Sequence, residues 1–168
     1  MDTIRRATRR DIASVLSIYN ESVMQSVASF DLAPKTIEEQ TIWFEKHDDR
    51  HPILVYEEGG EISGWASLNK WSERAAYDDT VEISLYVAKS RQGKGVGKRL
   101  LAAILQLGGA LNFHTIIAQI AEGNEASVRL FESFGFTRSG VLKEVGYKFG
   151  RTLDVYLLQK FYPVKISE

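Results

Sequence analysis

Strands and amphipathic segments alternate along the 168 residues, and the pattern predicts an α/β fold in which helices cover one sheet. Three observations carry this reading. Residues 80–87 alternate Val81, Ile83, Leu85 and Val87 with Glu82, Ser84 and Tyr86, the period of a strand with two different faces. A polar, glycine-rich stretch follows, and then Val96, Leu100, Ala103, Ile104, Leu107 and Leu111 recur at helical spacing. Two pairs of neighbouring strands, 53–56 with 62–69 and 136–142 with 154–161, argue against a purely parallel sheet.

The remaining elements follow from local signals. Residues 4–7 form a short first strand. Thr8, with Asp11 three residues on, is a capping-box variant ahead of a helix carrying Ile12, Val15, Leu16 and Tyr19. Thr36 and Glu39 form a second box ahead of Ile37, Trp43 and Phe44. Glu58-Gly59-Gly60-Glu61 is a turn between the first strand pair. Residues 115–120 form an apolar strand. Asn124 is a natural N-cap for a helix with Val128, Leu130, Phe131 and Phe134, and Gly135 its C′ stop. The predicted order is β-α-α-β-β-β-α-β-α-β-β, a single domain over residues 1–168.

Composition narrows the chemistry. Apolar residues make up 44% and charged residues 26%, enough for one core under an ordinary polar surface. A net charge of −1 offers no global attraction to nucleic acid or membrane. The absence of cysteine excludes disulfides, a thiolate nucleophile and cysteine-ligated metal. No stretch approaches the roughly 18 apolar residues of a membrane span. The charged first residues lack the apolar run of a secretory signal, so a cytoplasmic protein is expected. His47, His51 and His114 show no metal-like spacing, and no metal is expected.

The unit that carries chemistry is strand, loop and helix around Arg91-Gln92-Gly93-Lys94-Gly95-Val96-Gly97-Lys98. Alternate glycines let backbone N–H groups approach an anion, and the helix start adds unpaired N–H groups and the positive end of its dipole. Lys94, Lys98 and Arg91 add charge. A P-loop needs Gly-Lys-Ser/Thr after a four-residue gap, and a dinucleotide fingerprint needs G-x-G-x-x-G. This loop is G-x-G-x-G and fits neither. A plain glycine-rich connection remains the simpler alternative.

Gln92-Gly93-Lys94-Gly95-Val96-Gly97 resembles the Q/R-x-x-G-x-G/A signature of the GNAT N-acetyltransferases, and Asn124 to Phe136 resembles the asparagine-led helix that follows it there. The likeness runs along the whole chain. Ile18-Tyr19-Asn20, the strand Thr80–Val87, and Tyr147-Lys148-Phe149-Gly150-Arg151-Thr152-Leu153-Asp154 look like the phosphinothricin and L-amino-acid N-acetyltransferase branch. The resemblance implies a splayed, mixed but mostly antiparallel sheet, with acetyl-CoA as co-substrate. Its pantetheine arm would lie between strands 80–87 and 115–120, pairing with main-chain groups of Leu85, Tyr86 and Val87. An N–H there would steady the thioester oxygen. Gln92, Gly93, Lys94, Gly95, Val96, Gly97 and Lys98 would hold the pyrophosphate, and Asn124 and Ser133 would contact the cofactor further along. Asn124 can also be a plain helix cap.

An amine acceptor must lose a proton before attack, and Glu82 is the candidate base, directly or through a water. An outward strand glutamate is the plainer reading. Many GNAT enzymes place an acidic tyrosine seven residues after the helix asparagine; here that position is Phe131. Tyr86, Tyr147 and Tyr156 are alternatives without support, and the general acid stays unassigned. For the acceptor, Arg74 could pair with a carboxylate. Ala75, Ala76 and Tyr77 would wall the pocket opposite Glu82, Ile83 and Ser84, as in the resembling branch, with Phe30 and Tyr147 within reach. The expected reaction is acetylation of the α-amine of a small amino acid or analogue. A polyamine, an aminoglycoside or a protein N-terminus is an alternative acceptor, and a non-catalytic CoA-binding sensor is an alternative role. Dimers are common in this branch, and residues 147–154 are the expected interface. No nucleic-acid or membrane partner is expected.

Overall fold

The structure, a computed structural model, describes residues 1–163. Its elements in chain order are β1 (Asp2–Arg6), α1 (Ile12–Gln25), α2 (Ile37–Glu45), β2 (Ile53–Glu58), β3 (Glu61–Lys70), β4 (Thr80–Val87), α3 (Val96–Ala110), β5 (Thr115–Ala121), α4 (Glu125–Ser133), β6 (Thr137–Lys148) and β7 (Arg151–Phe161). The expected order of elements holds throughout. The seven strands form one sheet in the order β1-β2-β3-β4-β5-β7-β6. Every neighbouring pair is antiparallel except β4 and β5, which run parallel.

The two helical starts show how local sequence sets the ends. At α2, Thr36 Oγ1 accepts the Glu39 N–H at 3.2 Å and Glu39 Oε2 accepts the Thr36 N–H at 2.8 Å, a reciprocal box. At Thr8 the acid carries more of the work. Asp11 Oδ2 accepts the Thr8 N–H at 2.7 Å, and both carboxylate oxygens accept from the Arg5 guanidinium at 2.8 and 2.9 Å. That forked pair, first of all, holds the Asp11 carboxyl below the usual carboxylate range.

The strand alternation read in the sequence sorts side chains onto two faces. On one face Leu68, Val81, Leu100, Leu101, Ile104 and Ile116 are fully buried between the sheet and α3, with Val128 and Phe131 of α4 completing that core. On the other, Val15, Ile18, Val55 and Trp65 pack with Tyr19, Trp43 and Tyr86 beneath α1 and α2. Glu82, Ser84 and Tyr86 belong to this second face, so the base candidate emerges toward the helical pair rather than into the larger core.

The end of the chain differs from expectation. The last two strands, expected at 136–142 and 154–161, extend toward each other on either side of a turn. β6 continues to Lys148, which pairs with Arg151 across a two-residue turn. Phe149 and Gly150 both have positive φ, 52° and 75°, the pattern of a type I′ hairpin. Phenylalanine is a rare first residue in such a turn, so the signal was hidden. Glu144, at φ 52°, marks a bulge where its N–H donates to Asp154 Oδ1 at 2.8 Å.

Candidate active site

β4 and β5 pair only at Thr80↔Thr115, Val81↔Ile116 and Glu82↔Ile117. Beyond Glu82 they part. β4 stays bonded to β3 as far as Val87↔Gly64, and β5 to β7 as far as Ala121↔Val155. The facing edges of the two strands are therefore left without a strand partner, and they open a V-shaped cleft. Unpaired backbone donors and acceptors need partners, so an extended amide chain laid in the cleft would pair with them as an added strand.

Two cavities make up this cleft. The first, about 510 Å³, is lined by Leu85, Tyr86 and Val87, by Gln92, Gly93, Gly95, Gly97 and Lys98, and by Asn124 on α4. Gly93 and Gly95 have φ of 72° and 84°, and a Cβ added to either would meet no protein atom within 4 Å. The loop thus turns its backbone toward open space, as an anion cradle requires. Arg91 and Lys98 both line this cavity; Arg91 is tied to Glu58 at 2.9 Å, whereas Lys98 makes no ion pair among the described residues. These features fit the diphosphate and pantetheine of acetyl-CoA. Asn124 occupies the N-cap position expected of it, but its side chain makes no capping hydrogen bond and is left for the cleft.

Three of the expected cofactor residues are placed otherwise. Lys94 is exposed and does not line the cleft. Val96 is buried in the core, so only its main chain can serve the loop. Ser133 ends α4 on the surface, its Oγ donating to the Leu130 carbonyl at 2.6 Å.

The second cavity, about 400 Å³, holds Glu82, Ile83, Ser84 and Gln119 together with Tyr19, Ser29, Phe30 and Asp31 from α1 and the segment after it. Gln119 Nε2 donates to Glu82 Oε1 at 3.1 Å. Burial pushes the Glu82 carboxyl above its usual range, against the smaller opposing pull of that hydrogen bond. Glu82 and Ser84 also line a further cavity of about 220 Å³, bounded by Lys35, Gln40, Trp43, Trp65 and Asn69, where Asn69 Nδ2 donates to Ser84 Oγ at 2.9 Å.

Arg74, Ala75, Ala76 and Tyr77 are not brought to this cavity. They form an exposed 3-10 turn ahead of β4, outside its lining. Phe30 lines the cavity as expected, but the sequence did not reveal its neighbours Ala28, Ser29 and Asp31 or what holds them. Lys148, itself buried, donates to the Ser29 carbonyl at 2.6 Å. Ser29 Oγ lies 2.8 Å from Tyr19 Oη, and that phenol also donates to Asp31. Tyr86 Oη donates to the Ala28 carbonyl at 3.2 Å. Gly146 completes the seat, because a Cβ there would fall 2.3 Å from the Phe30 ring. No local pattern announces such a segment; three distant elements hold it.

A splayed sheet, with a glycine-rich loop whose backbone faces open space at one end of the cleft and a half-buried carboxylate at the other, is the arrangement expected of an acyl-CoA-dependent transferase acting on an amine. The comparisons agree. The family model described as "Acetyltransferase (GNAT) domain" matches residues 4–157. The chain is 36% identical over 158 residues to the L-methionine sulfoximine/L-methionine sulfone acetyltransferase of Salmonella typhimurium, covering 94% of this chain and 92% of that protein. The structure of a GNAT superfamily phosphinothricin acetyltransferase from Sinorhizobium meliloti in complex with acetyl-CoA superimposes with a TM-score of 0.91 at 33% identity, over 95% of this chain and 88% of that one. A ribosomal-protein-alanine N-acetyltransferase from Brucella melitensis superimposes with a TM-score of 0.92 at 37% identity, over 95% and 99%. The chain belongs to the GNAT acetyltransferase family, enzymes that move an acetyl group from acetyl-CoA to an amine.

Proposed function

We propose that this chain, as one catalytic domain spanning residues 1–168, acetylates the α-amine of a small amino acid or analogue of the methionine sulfoximine and phosphinothricin type. The observation that carries the reading is the position of Glu82, half-buried on a cavity wall where β4 and β5 part. Glu82 removes a proton from the acceptor nitrogen, whose lone pair then attacks the thioester directly. Acetyl-CoA, when bound, supplies the activated acetyl group. Main-chain groups of Leu85, Tyr86 and Val87 and the 92–98 loop hold it, with Asn124 at the helix start. Ile83 and Ser84 shape the acceptor wall beside Glu82. Ser29, Phe30 and Asp31 line the same cavity, about 400 Å³, with room for a small acceptor. Arg74 and the turn behind it take a carboxylate only if the loop closes over the cavity.

The likeness to the Brucella protein favours a second reading, with a protein N-terminal alanine as acceptor. A thiol-release assay decides between them, using phosphinothricin, methionine sulfoximine, the common L-amino acids, spermidine, kanamycin and an alanine-led peptide. Turnover confined to the peptide would sink the small-acceptor reading; acetyl-CoA binding without turnover on any amine would favour a sensor. Gly146→Ala tests the acceptor side separately. Its methyl displaces the half-exposed Phe30 ring, so the acceptor KM is expected to rise while acetyl-CoA affinity holds. Unchanged acceptor KM would remove Phe30 from the site.

A homodimer is part of this reading, in the cytoplasm. Within the expected interface, residues 147–154, Tyr147 and Phe149 leave large apolar side chains exposed, and Val145 beside them does the same, which supports that end of the β6–β7 hairpin as the interface.

A further inference from the structure

The two cavities of the cleft meet at a waist. Val27, Ala28, Leu85, Tyr86, Asn124 and Ser127 line both. A thioester carbon joined to pantetheine on one side and attacked by an amine on the other must lie at this waist. When its C–S bond breaks, negative charge gathers on sulfur between Val27, Ala28 and Leu85 on the one hand and the polar side chains of Tyr86, Asn124 and Ser127 on the other, where a preorganised hydrogen-bond donor is worth more than in water.

Three waist residues carry side-chain donors. Tyr86 directs its O–H at the Ala28 carbonyl, and burial, first of all, pushes its pKa up, making it a poor acid. Asn124 holds amide donors at the helix start, beside the space read above as the cofactor's. Ser127 lies in the first turn of α4, partly buried, and its hydroxyl has no hydrogen-bond partner among the described residues. One turn further on, Phe131 presents a ring to the same cavity, edge-on to Phe136 at 5.0 Å, and supplies no donor.

We propose that Ser127 Oγ donates a hydrogen bond to the CoA sulfur as it becomes a thiolate, which makes Ser127 a catalytic residue. The inference rests on the acetyl-transfer reading given above. Glu82 first passes the proton taken from the acceptor ammonium on to solvent; the nitrogen lone pair forms the new N–C bond, the C–S electron pair leaves on sulfur, and the second proton, surplus on the amide nitrogen, goes to Glu82 and then to solvent. Ser127 keeps its own proton, because an alcohol is a far weaker acid than a thiol. The thiolate takes its proton from water as it departs.

The test does not depend on turnover alone. CoA bound to the protein is titrated by the ultraviolet absorbance of its thiolate in the wild type, Ser127→Ala and Ser127→Thr. The hydroxyl stabilises the thiolate, so bound CoA should ionise at lower pH in the wild type and the threonine variant than in the alanine variant. In parallel, kcat for acetyl transfer should fall on the order of tenfold in Ser127→Ala with acetyl-CoA affinity unchanged, and recover in part when Phe131→Tyr is added. The same thiol titration in wild type and Ser127→Ala overturns the proposal. So does a threonine variant as impaired as the alanine one, since that points to packing. A wild type that binds acetyl-CoA yet acetylates no amine would defeat the activity instead, and the thiol titration would still read Ser127.

Discussion

Replacing Glu82 by glutamine is expected to lower kcat by about 10²–10⁴ at neutral pH, the usual worth of a positioned general base, with acetyl-CoA affinity nearly unchanged. The side chain is nearly isosteric and keeps its contact with Gln119, so the loss reports proton transfer rather than shape. The pH profile gives a second reading. Burial raises the Glu82 pKa, so the active, ionised form should appear at higher pH than for an exposed glutamate. Gln119→Leu removes the hydrogen bond that opposes this shift and should move the acid limb higher still. The linkage to stability has the matching sign. A carboxyl whose folded pKa is raised stabilises the fold below its unfolded pKa, and that contribution is lost as pH rises through the folded pKa. Glu82→Gln should therefore melt no lower than the wild type at neutral pH. Equal turnover of variant and wild type across pH 6–9 would refute the assignment.

Gly95→Val is expected to raise the Kd for acetyl-CoA by at least tenfold. Gly95 sits at φ 84° as the N-cap of α3, and a β-branched residue there costs on the order of 1–3 kcal/mol of backbone strain. Relief of that strain re-aims the N–H groups of the loop, and the side chain itself projects toward the open space the loop faces. Gly97→Ala is the control. Its added Cβ would lie 3.5 Å from Val87 Cγ2, an ordinary contact, and the signature admits alanine at that position. Binding should survive there. Isothermal titration of both variants, with melting curves to verify folding, separates the cases. Wild-type affinity in a folded Gly95→Val would remove the cradle from the mechanism.

Much of this site was legible because its parts are contiguous in sequence. The strand Thr80–Val87, the 92–98 loop and the helix behind them carry their own periodicity, glycines and charges, and Gly135 ends α4 at φ 86° as its position implied. Other readings came out differently. Of the two readings open for Asn124, the side chain does not cap and is left for the cleft. Ser133 turns back onto its own helix. Arg74 lies on an exposed turn outside the lining of the Glu82 cavity. The hairpin at Phe149 leaves no signal in the sequence, because the turn needs positive φ at a residue that seldom accepts it.

The sequence by itself determined the element order, the two faces of β4 with Glu82 on one of them, and the glycine-rich loop, because each depends on residues within a few positions of one another. The tertiary structure alone decided where β4 and β5 separate and how the segment around Ser29, Phe30 and Asp31 is held by Lys148, Tyr19 and Gly146. It also decided that Ser127 and Phe131 share the cleft with Glu82. Those contacts join residues far apart in the chain. They arise from the splay of one strand pair and the packing of buried polar groups that must find partners, and no local pattern encodes either.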